Sequence, residues 1–378
     1  MLTEISFSAD PARSVAAPRP FPFRRTARSS DRFRRHACLT VCAPRSKRAA
    51  VSGTTAPFVG KVLTGAEPGG RSVGTSTRRA VRPLRAGDRV AVVAPAGPVS
   101  PRLLARGVAV LESWGLDVEL TFDAAQEGRL PYLAADDDVR AQQLQRAWCD
   151  PDIDAVLCAR GGYGALRVLD LLDWDAMAAA GPKHFVGSSD NTALHAVLGA
   201  RCGLVTLFGP MVATPAVTAD PDAREGLRRA LFDPPTELRG GPRAMALVGG
   251  WAAGVTVGGT LSLLASALGA PGLPPPPDGA IALLEDVTES PYRIDRLLTQ
   301  LLRAGWFDRV AGIALGSWKE CGPPEEVRDV VLDRLGGLGV PLVEELGFGH
   351  CRGQLTVPLG AEAEMDADAP VPRLALPN

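Results

Sequence analysis

Between residues 88 and 208 the chain repeats one pattern: a short apolar run, a stop at glycine or proline, then a longer stretch with helical spacing. Val90-Ala91-Val92-Val93-Ala94 is stopped by Pro95-Ala96-Gly97-Pro98, Ala155-Val156-Leu157-Cys158-Ala159 by Arg160-Gly161-Gly162, and Phe185-Val186 by Gly187. A run apolar at every position has no face to offer water, so it reads as a strand covered on both sides. Further strands are expected at 116–122 and 203–208, and helices at 100–114, 137–149, 165–172 and from Asp190 onward. Strands alternating with helices of this length predict a doubly wound, mostly parallel sheet.

The alternation resumes after residue 248, with a small-residue helix at 262–268 led by Gly258-Gly259-Thr260-Leu261. A strand at 280–284, a helix at 292–304, a strand at 310–315, a helix at 324–335 and a short strand at 341–343 follow. This reads as a smaller C-terminal α/β domain. Residues 81–213 form the expected N-terminal domain and 248–378 the second. Residues 214–247, rich in Pro, Asp and Arg with little apolar periodicity, read as the linker.

Residues 1–80 hold 15 Lys and Arg against 4 Asp and Glu, while the rest of the chain holds 26 against 38. The acidic remainder argues against a nucleic-acid-binding surface. The basic leader lacks sustained periodicity and reads as unstructured. It is either an organelle transit peptide or an over-long start, and 37 Arg against 4 Lys, as GC-rich coding produces, favours the second. Seven scattered cysteines with no C-x-x-C pair argue against a disulfide framework and a zinc site and suit a reducing compartment. No apolar run reaches the length that spans a membrane.

The junction Gly187-Ser188-Ser189-Asp190 sets a small hydroxyl residue between a strand tip and a helix mouth. That geometry suits a nucleophilic serine, and it equally suits a serine or aspartate capping the helix. The turn Arg160-Gly161-Gly162-Tyr163-Gly164 could cradle an anion, serve as an oxyanion hole, or be a plain tight turn. Only four histidines exist. His36 lies in the leader, His184 precedes a strand, and His195 reads as a satisfied surface or interface side chain. His350 sits in a glycine-flanked loop, where functional groups concentrate. Glu285 closes the apolar run 280–284 and needs a partner. It either pairs with Arg293 or Arg296, or orients a histidine, with Asp286 and Glu289 as competitors for that role.

Several ordered blocks together carry a resemblance. They are residues 158–164, Val186-Gly187-Ser188-Ser189-Asp190, Gly258-Gly259-Thr260-Leu261-Ser262-Leu263-Leu264, Leu284-Glu285-Asp286-Val287 with Tyr292-Arg293-Ile294-Asp295-Arg296, and Gly349-His350 with Pro358-Leu359-Gly360. From about residue 81 to 368 the chain resembles the LD-carboxypeptidases, a serine peptidase family that includes muropeptide carboxypeptidases and microcin C self-immunity peptidases. The resemblance implies Ser189 as nucleophile, His350 as general base and Glu285 as orienting acid, with the active site at the domain interface. The oxyanion would sit between Asp190 N–H and the Gly161-Gly162 turn. Three positions depart from the usual pattern: Ser188 for an aromatic residue, Phe208 for a histidine and Thr260 for an asparagine. Ser188 brings a second hydroxyl beside the nucleophile.

The implied reaction uses neither metal nor organic cofactor. It releases D-alanine from a small murein tetrapeptide during cytoplasmic cell-wall recycling, in a homodimer with no membrane or nucleic-acid partner. Arg160 and Ser188 are the candidate substrate-binding residues, Arg160 for the substrate carboxylate. Two rivals remain: a microcin-type peptidase acting on an aminoacyl nucleotide, and a non-catalytic peptide- or nucleotide-binding module.

Overall fold

The computed structural model describes residues 81–125, 128–270 and 273–376; the expected leader at 1–80 lies outside them. The first half runs β1 (Arg89–Val93), α1 (Pro101–Ser113), β2 (Asp117–Leu120), α2 (Asp137–Cys149), β3 (Ala155–Cys158), α3 (Ala165–Val168), α4 (Trp174–Ala179), β4 (His184–Gly187), α5 (Thr192–Cys202) and β5 (Thr206–Phe208). The alternation read from the sequence is present. The strands β1, β3 and β4 are buried almost throughout, as runs apolar on both faces must be. One side of the sheet packs Val156 and Phe185 against Trp148 of α2 and Leu194 of α5. The other packs Val90, Leu157 and Val186 against Leu104 and Leu111 of α1.

The chain continues as α6 (Pro215–Thr218), α7 (Pro221–Phe232), β6 (Glu237–Arg239), β7 (Met245–Val248), β8 (Trp251–Thr260), α8 (Leu261–Ser266), β9 (Ala280–Val287), α9 (Pro291–Arg303), β10 (Val310–Lys319), α10 (Pro324–Leu335), β11 (Leu342–Glu344), β12 (Val357–Leu359), β13 (Glu362–Asp366) and β14 (Arg373–Ala375). Residues 214–247, read from the sequence as a linker, hold two helices and two strands. Helix α7 turns Ala223, Leu227, Ala230 and Leu231 inward at helical spacing, and Asp220 caps its first turn. Asp222, Arg224, Glu225, Arg228 and Arg229 lie outside that stripe and mask it in the composition.

The first sheet has the order β12-β5-β4-β3-β1-β2. Strands β1 to β5 are parallel, and β12, from the far end of the chain, closes the edge antiparallel to β5, with Val357 opposite Phe208. The second sheet is mixed and eight-stranded, β6-β14-β13-β8-β9-β10-β11-β7. Its strand β8 departs from the sequence expectation, which saw only a lead into a helix. The run Trp251–Thr260 is rich in glycine and alanine and has weak strand propensity. Close packing requires those small residues: a Cβ on Gly258 would stand 2.0 Å from Leu283 O of β9.

In the first sheet the order reverses between β1 and β3. The crevice beyond the carboxyl ends of strands at such a point is the usual ligand site of an open α/β sheet. Here it is bounded by the loop after β1 and residues 160–164, joined by a hydrogen bond from Gly97 N to Gly161 O (3.1 Å).

Candidate active site

Strand β4 ends at Gly187, and Ser189 follows in a left-handed conformation with φ 58°. A non-glycine residue held there carries backbone strain of order 1–3 kcal/mol, which tertiary contacts must offset. Those contacts are visible. Asn191 Nδ2 donates to Ser188 O (3.1 Å) and Arg160 O (3.3 Å), and Thr192 Oγ1 donates to Ser189 O (2.7 Å). A Cβ on Gly187 would meet Asn191 Cβ at 3.0 Å, so glycine lets the turn fold this tightly. Neither Ser189 nor Asp190 caps α5 through its side chain, so the capping reading fails. Ser188 is buried on extended backbone, while Ser189 is only half-buried.

The glycine turn lies directly against this serine. A Cβ on Gly161 would stand 2.7 Å from Ser189 Cβ, 3.0 Å from Ser189 Oγ and 3.4 Å from Asp190 N. The Asp190 carboxylate turns away from α5 and accepts from Ala165 N at 2.6 Å. Burial pushes its pKa up to about 6, against the pull of that N–H and of the Arg140 charge. Arg160 donates to Pro98 O (2.9 Å) and, among the described residues, has no carboxylate partner.

Strand β9 delivers Glu285, which is 0 % exposed. Its Oε2 lies 2.7 Å from His350 Nδ1 and accepts from His350 N (3.2 Å); its Oε1 accepts from Thr260 Oγ1 at 2.5 Å. Burial opposes a charge on His350, but the hydrogen bond and negative charge of Glu285 outweigh it and raise the imidazole pKa above its ordinary value. A carboxylate this buried is stable only with such partners. Gly349 allows the contact, since a Cβ there would stand 2.5 Å from Glu285 Oε2. The loop carrying His350 is pinned by Phe348 O, which accepts from Ser317 N of β10 (2.9 Å), and by Gly353 N, which donates to Asp220 Oδ2 (2.8 Å).

The competing partners are otherwise engaged. Arg293 pairs with Glu289, and the Arg296 guanidinium lies 5.4 Å above the Tyr292 ring. Asp286 accepts from Ser262 N (2.8 Å) at the start of α8, and burial pushes its pKa up to about 6. His184 is buried against Arg82 O. His195 is satisfied as expected but lies in the interior instead of at the surface: Nε2–H donates to Gly187 O (3.0 Å) and Nδ1 accepts from Thr206 Oγ1 (2.8 Å). Full burial drives its pKa down to about 4, which keeps the ring neutral.

Two threonines join the halves of the site. Thr192 Oγ1, donor to Ser189 O, also accepts from Thr260 N (3.0 Å), and Thr260 Oγ1 reaches Glu285. One chain of hydrogen bonds thus runs from the Ser189 backbone to His350. Sequence reasoning flagged Thr260 only as a departure and missed Thr192 and the buried Arg140 altogether. Thr192 and Arg140 have partners three residues back, in Ser189 and Asp137, but the contacts that tie them to the site, with Thr260, Pro95 and Gly164, lie far along the chain.

A half-buried serine at a strained strand–helix elbow beside a glycine turn, and a buried carboxylate that holds an imidazole, are parts that a serine hydrolase uses. The LD-carboxypeptidase N-terminal domain matches residues 90–209, and the LD-carboxypeptidase C-terminal domain matches residues 253–365. A protein of Streptomyces coelicolor is 55% identical over 294 residues, 77% of this chain and 95% of its own length. The murein tetrapeptide carboxypeptidase of Pseudomonas aeruginosa is 34% identical over 298 residues, covering 74% and 94%. The structure of the microcin C7 self-immunity protein MccF superimposes with a TM-score of 0.70 at 23% identity, over 79% of this chain and 98% of that one, and shares the fold. The chain belongs to the LD-carboxypeptidase family. It is a serine-type carboxypeptidase, a hydrolase of peptide bonds.

Proposed function

We propose that this enzyme removes the terminal D-alanine from murein tetrapeptides through an acyl-enzyme intermediate on Ser189. The observation that carries this reading is the buried Glu285 carboxylate bonded to His350 Nδ1 at 2.7 Å. That bond puts the proton on Nδ1 and leaves Nε2 as the base. His350 takes the Ser189 proton as Oγ attacks the scissile carbonyl, then protonates the leaving D-alanine nitrogen; Glu285 steadies the imidazolium. Water releases the acyl group by the reverse proton route. The amides of Asp190 and of Gly161 or Gly162 receive the developing oxyanion. Arg160 receives the substrate carboxylate, whereas Ser188, the other substrate-binding candidate, is 3% exposed and too buried to offer substrate its hydroxyl. In this reading residues 81–213 carry the nucleophile and residues 248–378 the base and acid.

The free thiols of Cys149, Cys158, Cys321 and Cys351 support a reducing, cytoplasmic setting. Among the described residues no helix is long and apolar enough to cross a membrane. The homodimer implied by the family resemblance is tested by sedimentation of the full chain.

The deciding experiment is mass spectrometry of a murein tetrapeptide incubated with the full chain. Loss of one D-alanine is expected. An intact tetrapeptide, with cleavage of an aminoacyl nucleotide instead, transfers the assignment to the second reading, which the MccF-like fold supports.

The pH dependence follows from His350. A base must be neutral, and the folded pKa is raised, so protonation persists to higher pH than in a free imidazole. The acid limb of kcat/KM is therefore expected to be centred above about pH 6.5. A midpoint below that value in the full pH profile rules out a Glu285-paired base.

A further inference from the structure

Arg140 and Asp190 are both buried, at 1% and 2% exposure, and they meet opposite ends of one peptide group. The Gly164 carbonyl accepts from Arg140 Nη1 (3.0 Å), and the Ala165 N–H of the same peptide donates to Asp190 Oδ2 (2.6 Å). Each charge faces the end of the peptide dipole that it attracts. We propose that Arg140 and Asp190 clamp the Gly164–Ala165 peptide and thereby position the Gly161-Gly162 oxyanion turn against Ser189. The inference rests on the catalytic reading given above.

The rest of the turn supports this role. Its Arg160 carbonyl is held by Asn191 Nδ2 and its Gly161 carbonyl by Gly97 N. Arg140 also donates to Pro95 O in the loop that carries Gly97 and to Ala135 O in the loop before α2, and it pairs with Asp137. One guanidinium thus ties together three loops beyond the carboxyl ends of β1, β2 and β3. Asp190 and Asn191 adjoin Ser189, so serine and turn move as one body. Gly164, at φ +127°, admits the arginine: a Cβ there would stand 2.9 Å from Nη1. Burying two charged side chains costs desolvation free energy, so stability alone is a weak reason for keeping them here.

Arg140 and Asp190 touch no reacting atom through their side chains; they are positioning residues. The test uses the full chain and two variants, Asp190→Asn and Arg140→Lys. Asp190→Asn keeps the shape and one acceptor but removes the charge, so the fold survives if Arg140→Lys does not. A fluorophosphonate probe, which places its phosphoryl oxygen in the oxyanion hole and loses fluoride, is reacted with each protein. The unaltered chain is expected to label at Ser189. Asp190→Asn is expected to label about 10- to 100-fold more slowly, with tetrapeptide kcat falling in parallel and KM within about threefold. Equal labelling rates, or a rise in KM at constant kcat, overturn the clamp and leave the nucleophile assignment standing. Absence of label on Ser189 in the unaltered chain overturns the catalytic reading, and the clamp falls with it.

Discussion

Ser189→Ala is expected to lower D-alanine release by about 10⁴-fold or more, leaving only what the oxyanion turn and substrate binding supply. Without Oγ no acyl-enzyme forms, so the acylated protein should be missing from the intact mass spectrum as well. Folding should be nearly unaffected, because alanine and serine meet the same cost at φ 58°. Ser189→Gly is the informative companion. Glycine adopts that conformation freely, so the variant should be as inactive as Ser189→Ala and yet unfold at a higher temperature, by about 1 kcal/mol of stability. If Ser189→Ala retains full turnover, Ser189 is not the nucleophile. If Ser189→Gly is less stable than the parent, the elbow is not strained.

Glu285→Gln should lower kcat by about 10³-fold, a loss dominated by the missing charge. The amide can keep its oxygen toward His350 and turn its NH2 to Thr260, whose hydroxyl can accept as well as donate. The imidazole therefore keeps its orientation, while the imidazolium formed during proton transfer loses its counter-charge. The acid limb of kcat/KM should move to lower pH in the same variant, since the hydrogen bond to Glu285 and its charge are what raise the His350 pKa. A fall in rate with an unmoved limb would mean that Glu285 acts only by holding the loop.

The departures from the family pattern gain physical roles. Thr260 supplies the hydroxyl that satisfies the second oxygen of a fully buried carboxylate, a charge-assisted bond of about 1.5–3 kcal/mol. Phe208 packs edge-on against Phe348, with ring centroids 6.4 Å apart, and against the His195 ring at 5.8 Å. It thus fills the apolar space between the sheet that leads into Ser189 and the loop that carries His350. Neither substitution disturbs the Glu285–His350 contact.

Local sequence determined the parts whose cause is local. Apolar runs located β1, β3, β4 and the first five residues of β9, because a strand covered on both faces favours apolar residues; β9 itself continues through the buried Glu285 and Asp286. Helical spacing delimited α2 and α10. Gly187-Ser188-Ser189 marked the elbow, and the ordered motif blocks singled out Glu285 and His350 from their neighbours. Only the tertiary structure decided the rest, since it depends on contacts between distant residues. Strand β8 looks like a loop until β9 lies against its glycines. Helix α7 and strand β12 take their places from a core formed by residues more than a hundred positions away. The partnership of Arg140, Gly164 and Asp190, and that of Thr192 with Thr260, are pairings across loops and sheets. No residue spacing encodes them, because the hydrogen bonds exist only once folding has brought those loops together.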